Sequence, residues 1–440
     1  MRRLIRMTFK DLLVIGLPIL AVTTAAFWAA YQFVQPAPPK QLTIITGVQD
    51  GSFHHWALRY KEVFERNGIT LKLRTSTGPV ENLERLIDPK QVVDIGFVQG
   101  GTVMRKDTTG LVSLGVLYPE PLWLFYHGKE YVTSIADLKG KRIAVGVRGS
   151  GTRELAMEIL EAHGVAQSPT VLSPLSDVAA VHALAYGEVD AAFILSGAQS
   201  AAAWTAFYTP GVEIFDYTQA DAYTRRFPYL STITLPRGAI DLERDIPKRN
   251  TTLIATTAML VARESLHPAL ADLMLQAASE AHGQAGLFQK AGEFPTPKGV
   301  ETPLSKDAER YYTSGKPFLQ RYLPFWAATL IDRLIVMLVP VIAILYPLIR
   351  VAPYLYSWRV RMRVFRYYGE LKLLELQAQE APNSRTSLEW IAELERIEQA
   401  ANRIPTPNAF AHQVYTLRTH VQLVRRSLLK RFGAVEPTNL

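Results

Sequence analysis

The sequence predicts an α/β body with a parallel sheet, held between two transmembrane helices and followed by a C-terminal helical hairpin. Three observations carry that expectation. Between residues 41 and 324, short β-rich runs alternate with amphipathic helical stretches, the pattern of helices layered on a mainly parallel sheet. An apolar run long enough to cross a bilayer flanks that body on each side. Beyond the second run, apolar residues recur at helical spacing along two stretches separated by a proline turn. At 440 residues the chain is long enough for two or three domains.

The chain starts basic, with Arg2, Arg3, Arg6 and Lys10 against Asp11 in residues 1–11. LLVIGLPILAVTTAAFWAAYQFV, residues 12–34, is 23 residues without a charge, and about 20 suffice to span a membrane. Behind a basic start this is either a secretory signal peptide or an uncleaved anchor. Signal-peptide cores run about 7–15 residues, so the length favours an anchor with its N-terminus in the cytoplasm. Residues 35–40, QPAPPK, read as a short stiff linker.

In the body, LTIITG predicts a strand, then VQDGS and a helix over Phe53–Arg66. ITLKLRT predicts a second strand, then STGP and a helix over Val80–Ile87; VVDIGFV predicts a third, ending in QGG. RIAVGV, Arg142–Val147, leads through a loop, Arg148–Thr152, into a helix from Arg153, and VDAAFIL leads to SGAQS. The second span is Phe325–Ile349, kinked at Pro340 and Pro347, with Asp332 and Arg333 near its outer end. In residues 350–440, Ser357–Gln379 is helical and APNSRTS interrupts it. Ser387 is expected to cap a helix with the stripe Leu388, Ile391, Leu394, Ile397 and Ala401. After PTPN a second stripe follows at Val414, Leu417, Val421, Val424 and Leu428. The two stripes predict an antiparallel hairpin, or a homodimer contact through the same helices.

The net charge of +8 is distributed by topology. Residues 12–351 carry 31 charges of each sign, and the whole excess lies outside the two apolar runs, as expected of cytoplasmic flanks. A nucleic-acid binder concentrates its basic residues on the folded domain, so no nucleic-acid partner is expected. The body is placed outside the cytoplasm, with both termini inside.

Each predicted strand ends in a loop of Gly, Ser, Thr or Gln. In open α/β sheets, ligands bind beyond the carboxyl ends of the strands. Glycine admits close backbone approach, and free N–H groups at a helix start suit an anion. One such loop is ordinarily a turn and a helix cap; five in series point to a ligand site. Ser150 or Thr152 is placed to cap its helix, aiming donors and the Arg153 guanidinium at a carboxylate or phosphate.

Catalytic readings fail. Gly146, Gly149 and Gly151 spell G-x-x-G-x-G, neither the dinucleotide nor the P-loop pattern. Arg148 stands where a nucleophile elbow around Ser150 needs glycine. His54 and His55 are adjacent, which on a helix makes a poor metal pair; one can face the cleft, and His54 is assigned to it. Glu120, Asp177 and Asp190 have no spacing that defines an acid/base couple. The chain has no cysteine, which excludes disulfides, thiolate metal sites and a cysteine nucleophile. No catalytic residue, metal ligand or cofactor is assigned.

GSFHHWALRYKEVF, TSTGPVENLERL, VDIGFVQGG, LYPEPLWLFY, IADLKGKRIAVGVRGSGTRELAMEIL and GEVDAAFILSG, taken in order, resemble the TAXI branch of TRAP-transporter solute receptors. The resemblance continues through RFPYLSTITLPRGAIDLERDIP, GEFPTP, RYLPFW and RYYGELKLLEL, up to about residue 376. It implies a two-lobed, periplasmic-binding-protein-like (type II) clamshell that closes around a small anionic or zwitterionic solute, an organic acid or amino acid. Lobe 1 would comprise about residues 41–124 and 228–320, and lobe 2 about 125–227. Crossing strands are expected near Trp123–His127 and Ala222–Ser231. The resemblance places ligand contacts at Gly51, Ser52, Thr75, Ser76, Thr77, Gln99, Ser150, Gly151 and Thr152, with Tyr118 and Glu120 on the hinge side. Gly149 is added as part of a loop offering backbone donors, and Arg153 as a carboxylate partner. The resemblance also implies a bacterial inner-membrane location with a periplasmic main domain, and TRAP-type carrier subunits as partners.

The chain departs from the family's usual pattern. It has no cysteine for a lipid anchor and adds a second span with an interior tail, which resembles a membrane-anchored subgroup; Pro79 replaces a small polar residue, and SFHH replaces a tyrosine-rich start. Two readings compete with solute capture. One is a ligand-free scaffold or signalling subunit of an envelope complex; the other is a clamshell enzyme related to thiamine-pyrimidine synthase.

Overall fold

The computed structural model describes residues 9–33, 37–128, 132–380, 386–403 and 410–432. Arg2, Arg3 and Arg6, the start of the proline-rich linker, most of APNSRTS and the PTPN turn lie outside the described residues. Two compact units result, Ala37–Leu330 and the segments Met1–Pro36 with Ile331–Leu440.

Helix α1 (Phe9–Phe33) belongs to the second unit. The α/β unit begins with β1 (Gln41–Ile45), α2 (Ser52–Arg66), β2 (Thr70–Arg74), α3 (Pro79–Ile87) and β3 (Ile95–Gln99). Here β1 lies between β2 and β3, parallel to both. All five residues of β3 are buried, because apolar clusters cover both of its faces. Ile44, Ile95 and Phe97 belong to one cluster. Ile45 and Val98 belong to the other, with Leu83 and Leu86 of α3.

The long strand β4 (Leu111–His127) leads into the second lobe, built of β5 (Arg142–Ala144), α4 (Gly151–Ala162), β6 (Val171–Ser173), α5 (Asp177–Ala185) and β7 (Ala191–Leu195). It continues with α6 (Ala201–Tyr208), β8 (Val212–Ile214), α7 (Ala220–Arg226) and β9 (Ser231–Leu235). Strand β10 (Thr251–Arg263) then returns the chain, and α8 (Pro268–His282) and α9 (Lys306–Ser314) pack on the first lobe.

The sheet runs β2-β1-β3-β10-β4-β7-β5-β6, with β8 on β4 and β9 on β10. It is mixed rather than parallel. β10 is antiparallel to β3 and β4, and β7 is antiparallel to β4, because both long strands cross between the lobes in opposite directions. β4 changes partner at its prolines: Pro121 is the last residue paired with β10, and Leu122 the first paired with β7. Proline offers no N–H to a ladder, so Pro119 and Pro121 sit where the strand leaves one sheet for the other. Trp123, Phe125, Ile143, Leu155, Phe193 and Ile194 are fully buried in the second core. Phe227, Leu230, Leu235, Leu253 and Ile254 share that core. The return crossing therefore lies at about Ala255–Ala258, not at Ala222–Ser231, and lobe 1 does not resume at residue 228.

Helix α10 (Phe325–Glu380) is continuous for 56 residues through Pro340, Pro347 and Pro353. Among the described residues it is the one helix both long and apolar enough to cross a membrane. Its C-terminal half joins α11 (Ser387–Asn402) and α12 (Ala411–Phe432) around a core of Val364, Leu371, Leu374, Trp390, Leu394, Ile397, Leu417, Val421 and Leu428. The two expected stripes pack together as α11 and α12, and α10 adds a third helix to that pair. The cap of α11 is Thr386, not Ser387, and forms a capping box with Glu389. Leu388, expected in the stripe, is 78 % exposed, whereas Trp390 is 1 % exposed. The buried stripe runs 390, 394, 397, 401, the same face taken from a start two residues later.

Trp390→Ala should therefore cost about 3–5 kcal/mol and abolish amide-exchange protection in α11 and α12 of the full chain in detergent. Leu388→Ala should change stability by about 0.5 kcal/mol or less. Equal effects of the two substitutions would show that the stripe is misassigned.

Candidate functional site

A cleft of about 1660 Å³ opens between the two lobes, at the C-terminal ends of β1, β3 and β7 and the start of α4. Its walls combine neutral donors (Ser52, Thr77, Gln99, Ser150, Thr152), the aromatic rings of Phe53, Trp56 and Tyr118, and the carboxylates of Asp50, Glu120, Asp177 and Glu188.

The loop ends are pinned from below. Asn82, fully buried on α3, donates through Nδ2 to the carbonyls of Thr46 and Phe97, and its Oδ1 accepts from Ser76 Oγ at 2.5 Å. One side chain thus joins the ends of β1 and β3 to the TSTGP loop. On the far wall, Trp123 Nε1 donates to Ser196 O at 3.0 Å, fixing the start of the SGAQS loop. Ser150 caps α4 by accepting from Arg153 N at 3.2 Å. The first N–H groups of that helix, on Gly151 and Thr152, have no intrahelical acceptor and lie at the cleft wall.

The lobes meet along a seam of glycines. A Cβ on Gly151 would overlap Gln99 Oε1 and lie 2.8 Å from its Cδ. A Cβ on Gly78 would lie 2.5 Å from Gly149 O. The glycine loop before α4 is therefore small because the opposite lobe occupies the space a side chain would need.

Glu120 stands between the two prolines of β4, two residues after Tyr118 and so on the same face. It is 2 % exposed. Burial pushes its carboxyl up to about 8, and the nearby Asp177 charge adds to the rise. Burial also pushes Asp177, the first residue of α5, up to about 6, against the opposing effect of the Thr152 hydroxyl, which donates to it at 3.4 Å. Ser196 Oγ is buried in the same wall without a hydrogen-bond partner, and Tyr118 Oη is buried there beside the Ser52 and Trp56 side chains. His282 hydrogen-bonds Tyr60 Oη through Nε2 at 2.7 Å; burial drives it down to about 3, so it is neutral.

Of the residues assigned from the sequence, Gly51, Ser52, Thr77, Gln99, Tyr118, Glu120, Ser150, Gly151 and Thr152 line this cleft. His54, Thr75, Ser76, Gly149 and Arg153 do not. His54 Nδ1 lies 3.2 Å from Thr46 Oγ1, and its neighbour His55 takes the cleft position. Thr75 is exposed, Ser76 is committed to Asn82, and Gly149 faces Thr77 across the seam. Arg153 is not among the residues that line the cleft; it is half-buried, with Nη1 unpartnered. Trp56, Gly78, Asp177 and Ser196 were missed. The Ser176–Asp177 pair was legible as a helix start. Ser196 opens the SGAQS loop, one of the five strand-end loops singled out from the sequence; nothing local marks Trp56.

Residues 55–314 match the model of the NMT1-like family. Among solved structures, the chain is similar to the periplasmic aliphatic sulphonate binding protein SsuA from Escherichia coli at 17 % identity, over 73 % of this chain and 93 % of that one, with a TM-score of 0.37. An ancestral arginine-binding protein bound to arginine matches at 15 % identity, over 55 % and 92 %, with a TM-score of 0.36. The effector binding domain of a BenM variant matches at 12 %, over 55 % and 94 %, with a TM-score of 0.37. At these scores the likenesses say nothing of what this cleft holds.

Two expectations follow from the cleft geometry. Gly151→Ala should hold the lobes apart, because φ at this position suits alanine and only Gln99 obstructs it. Spin labels on cysteines introduced at exposed Leu58 and Val171 would report a longer distance, and adding Gln99→Ala should restore the original one. An unchanged distance in Gly151→Ala would refute the steric seam. The second concerns pH. Glu120 titrates near 4.5 when unfolded and near 8 when folded, so the native state holds a proton that the unfolded chain has lost, and stability falls as pH rises through that window. Above pH 6.5 the remaining effects of His282 and Asp177 are small and opposite in sign. Between pH 6.5 and 8 unfolding measurements should show a loss of about 1.5 kcal/mol that Glu120→Gln abolishes.

Proposed function

The chain belongs to the NMT1-like family, and from that premise we propose that it is a membrane-anchored solute-binding protein that captures a small carboxylate-bearing solute by closing two lobes over it. The observation that carries this reading is the convergence of loops from both lobes on one cleft, with neutral donors on each side. Contacts from Ser52 and Gln99 on one lobe and from Ser150, Gly151 and Thr152 on the other are complete only when the lobes are shut, so a solute shifts the population toward the closed form. With no arginine or lysine among the described cleft-lining residues, an acid group would rest on backbone N–H groups at the start of α4 and on hydroxyls. An amino acid suits this cleft better than a dianion.

The body is held outside the cytoplasm by residues 12–34 and by the first part of α10, with the three-helix tail inside. The role is TAXI-type: delivery of solute to TRAP-type carrier subunits, or sensing through the second span. The solute leaves chemically unchanged.

Mass spectrometry of the full chain purified in mild detergent should recover a bound amino acid or organic acid. Absence of any such compound, together with no thermal stabilisation by either class, would leave the scaffold reading in its place. Topology can be tested because the chain has no cysteine. A cysteine at Leu242, 88 % exposed in the body, should react with a membrane-impermeant maleimide on intact spheroplasts. One at Leu388 in the tail should react only after permeabilisation. The reverse pattern would refute the orientation.

A further inference from the structure

The cleft carries four carboxylates and, among its described lining residues, no arginine or lysine. The deepest of them, Glu120, is 2 % exposed. The titratable groups around it supply no positive partner. Asp177 of α5 opposes its ionisation, Tyr118 of β4 is a buried phenol, and His282 of α8 is held neutral. Ionising a buried carboxyl group with no cation beside it is costly, so Glu120 keeps its proton in the empty cleft, and a fold that holds such a group at the inner wall leaves a place for a cation to arrive.

A second, independent feature points the same way. Ser196 Oγ, on a residue 4 % exposed, has no hydrogen-bond partner, and Tyr118 Oη, on a residue 6 % exposed, has the Ser52 and Trp56 side chains as polar neighbours; both residues line the same wall. A hydroxyl can accept from an N–H. Two carboxylates and these hydroxyls together match the three donors of a primary ammonium group. The ring of Tyr118, whose centroid is 6.0 Å from that of Trp56, adds an aromatic face, which attracts cations; Trp56 already carries the Arg59 guanidinium 5.5 Å from its ring centroid.

We propose that the inner wall of the cleft is an ammonium site, in which Glu120 and Asp177 take the primary ammonium group of the solute and Tyr118 and Ser196 complete its hydrogen bonds. The substrate class is thereby an amino acid rather than a nitrogen-free organic acid. This rests on the solute-binding reading above and narrows it. The carboxylate of the same solute lies toward the free N–H groups at the start of α4. Because Glu120 is protonated near neutral pH in the empty cleft, pairing with an ammonium group ionises it and expels its proton.

The test uses the full chain in detergent, stripped of bound solute by mild denaturation and refolding. Calorimetry and thermal-shift measurements compare the proteinogenic amino acids with their matched 2-oxo and 2-hydroxy acids. At least one amino acid should bind about 100-fold or more tightly than its nitrogen-free counterparts. Titrations at pH 7 in buffers of different ionisation enthalpy should show close to one proton released per solute. Glu120→Gln, which mimics the protonated side chain and so keeps the fold, should abolish that release and weaken binding at least tenfold. Asp177→Asn should weaken binding while leaving proton release in place. If nitrogen-free acids bind as tightly, or Glu120→Gln binds the amino acid unchanged, the ammonium site is overturned and solute capture stands. If neither set binds and nothing co-purifies, both fall.

Discussion

The antiparallel pairing of β4 with β10 is the constraint on which the rest of the α/β unit depends. The two strands run side by side from Arg263 opposite Leu111 to Ala255 opposite Pro121, and each enters both apolar cores. A cleft formed between two lobes is only as defined as the segments that join them. Here both joints are ladder-paired strands, which restrict the lobes to bending about a common line instead of wandering on loops. The prolines of β4 fall on that line. They withhold N–H groups where the strand changes sheets, and they hold Glu120 between them, so the deepest carboxylate of the cleft is tied to its hinge.

That arrangement also explains why glycines in the TSTGP and RGSGT loops carry two meanings at once. A glycine at the end of a strand can admit a ligand or admit another backbone, and sequence alone does not separate these. In this fold Gly78 and Gly151 admit the opposite lobe. The donors of the same loops, the Ser150 hydroxyl and the first N–H groups of α4, are the parts that remain toward the cleft. Closure and recognition thus use adjacent atoms of one loop, with glycine serving the first and helix geometry the second.

The strand and helix order of the first lobe was legible because its signals are local: short β-rich runs, the small-residue loops that end them and a proline at the first turn of α3. Several cleft loops were legible for the same reason. The return crossing was not. Residues 227–254 belong to the second core through contacts with Trp123, Phe193 and their neighbours, and no local pattern encodes which of two apolar cores a strand will join. Trp390 and Leu388 make the same point on a smaller scale. Both are apolar, two residues apart, and only the placement of α10 decides which is buried. Arg153 was assigned to the site because a cation beside a glycine loop invites an anion; α4 starts at Gly151 rather than two residues later, and it is Gly151 and Thr152 of its first turn that line the cleft.

Charge is where composition misleads most. Residues 12–351 balance 31 charges of each sign, which suggests no electrostatic preference, yet the described cleft wall is entirely one-signed in its carboxylates, arginines and lysines. The balance is restored on the outer surface, where Arg142–Asp190 and Arg237–Asp245 pair in water and contribute little. Inside the cleft the dielectric is lower and uncompensated charge counts for more. A net-neutral solute with separated charges resolves this without any protein cation. Its positive end offsets the carboxylates near the hinge, and its negative end meets the helix N-terminus on the other lobe. The two ends then pull on different lobes, so the same separation of charge that favours binding also favours closure.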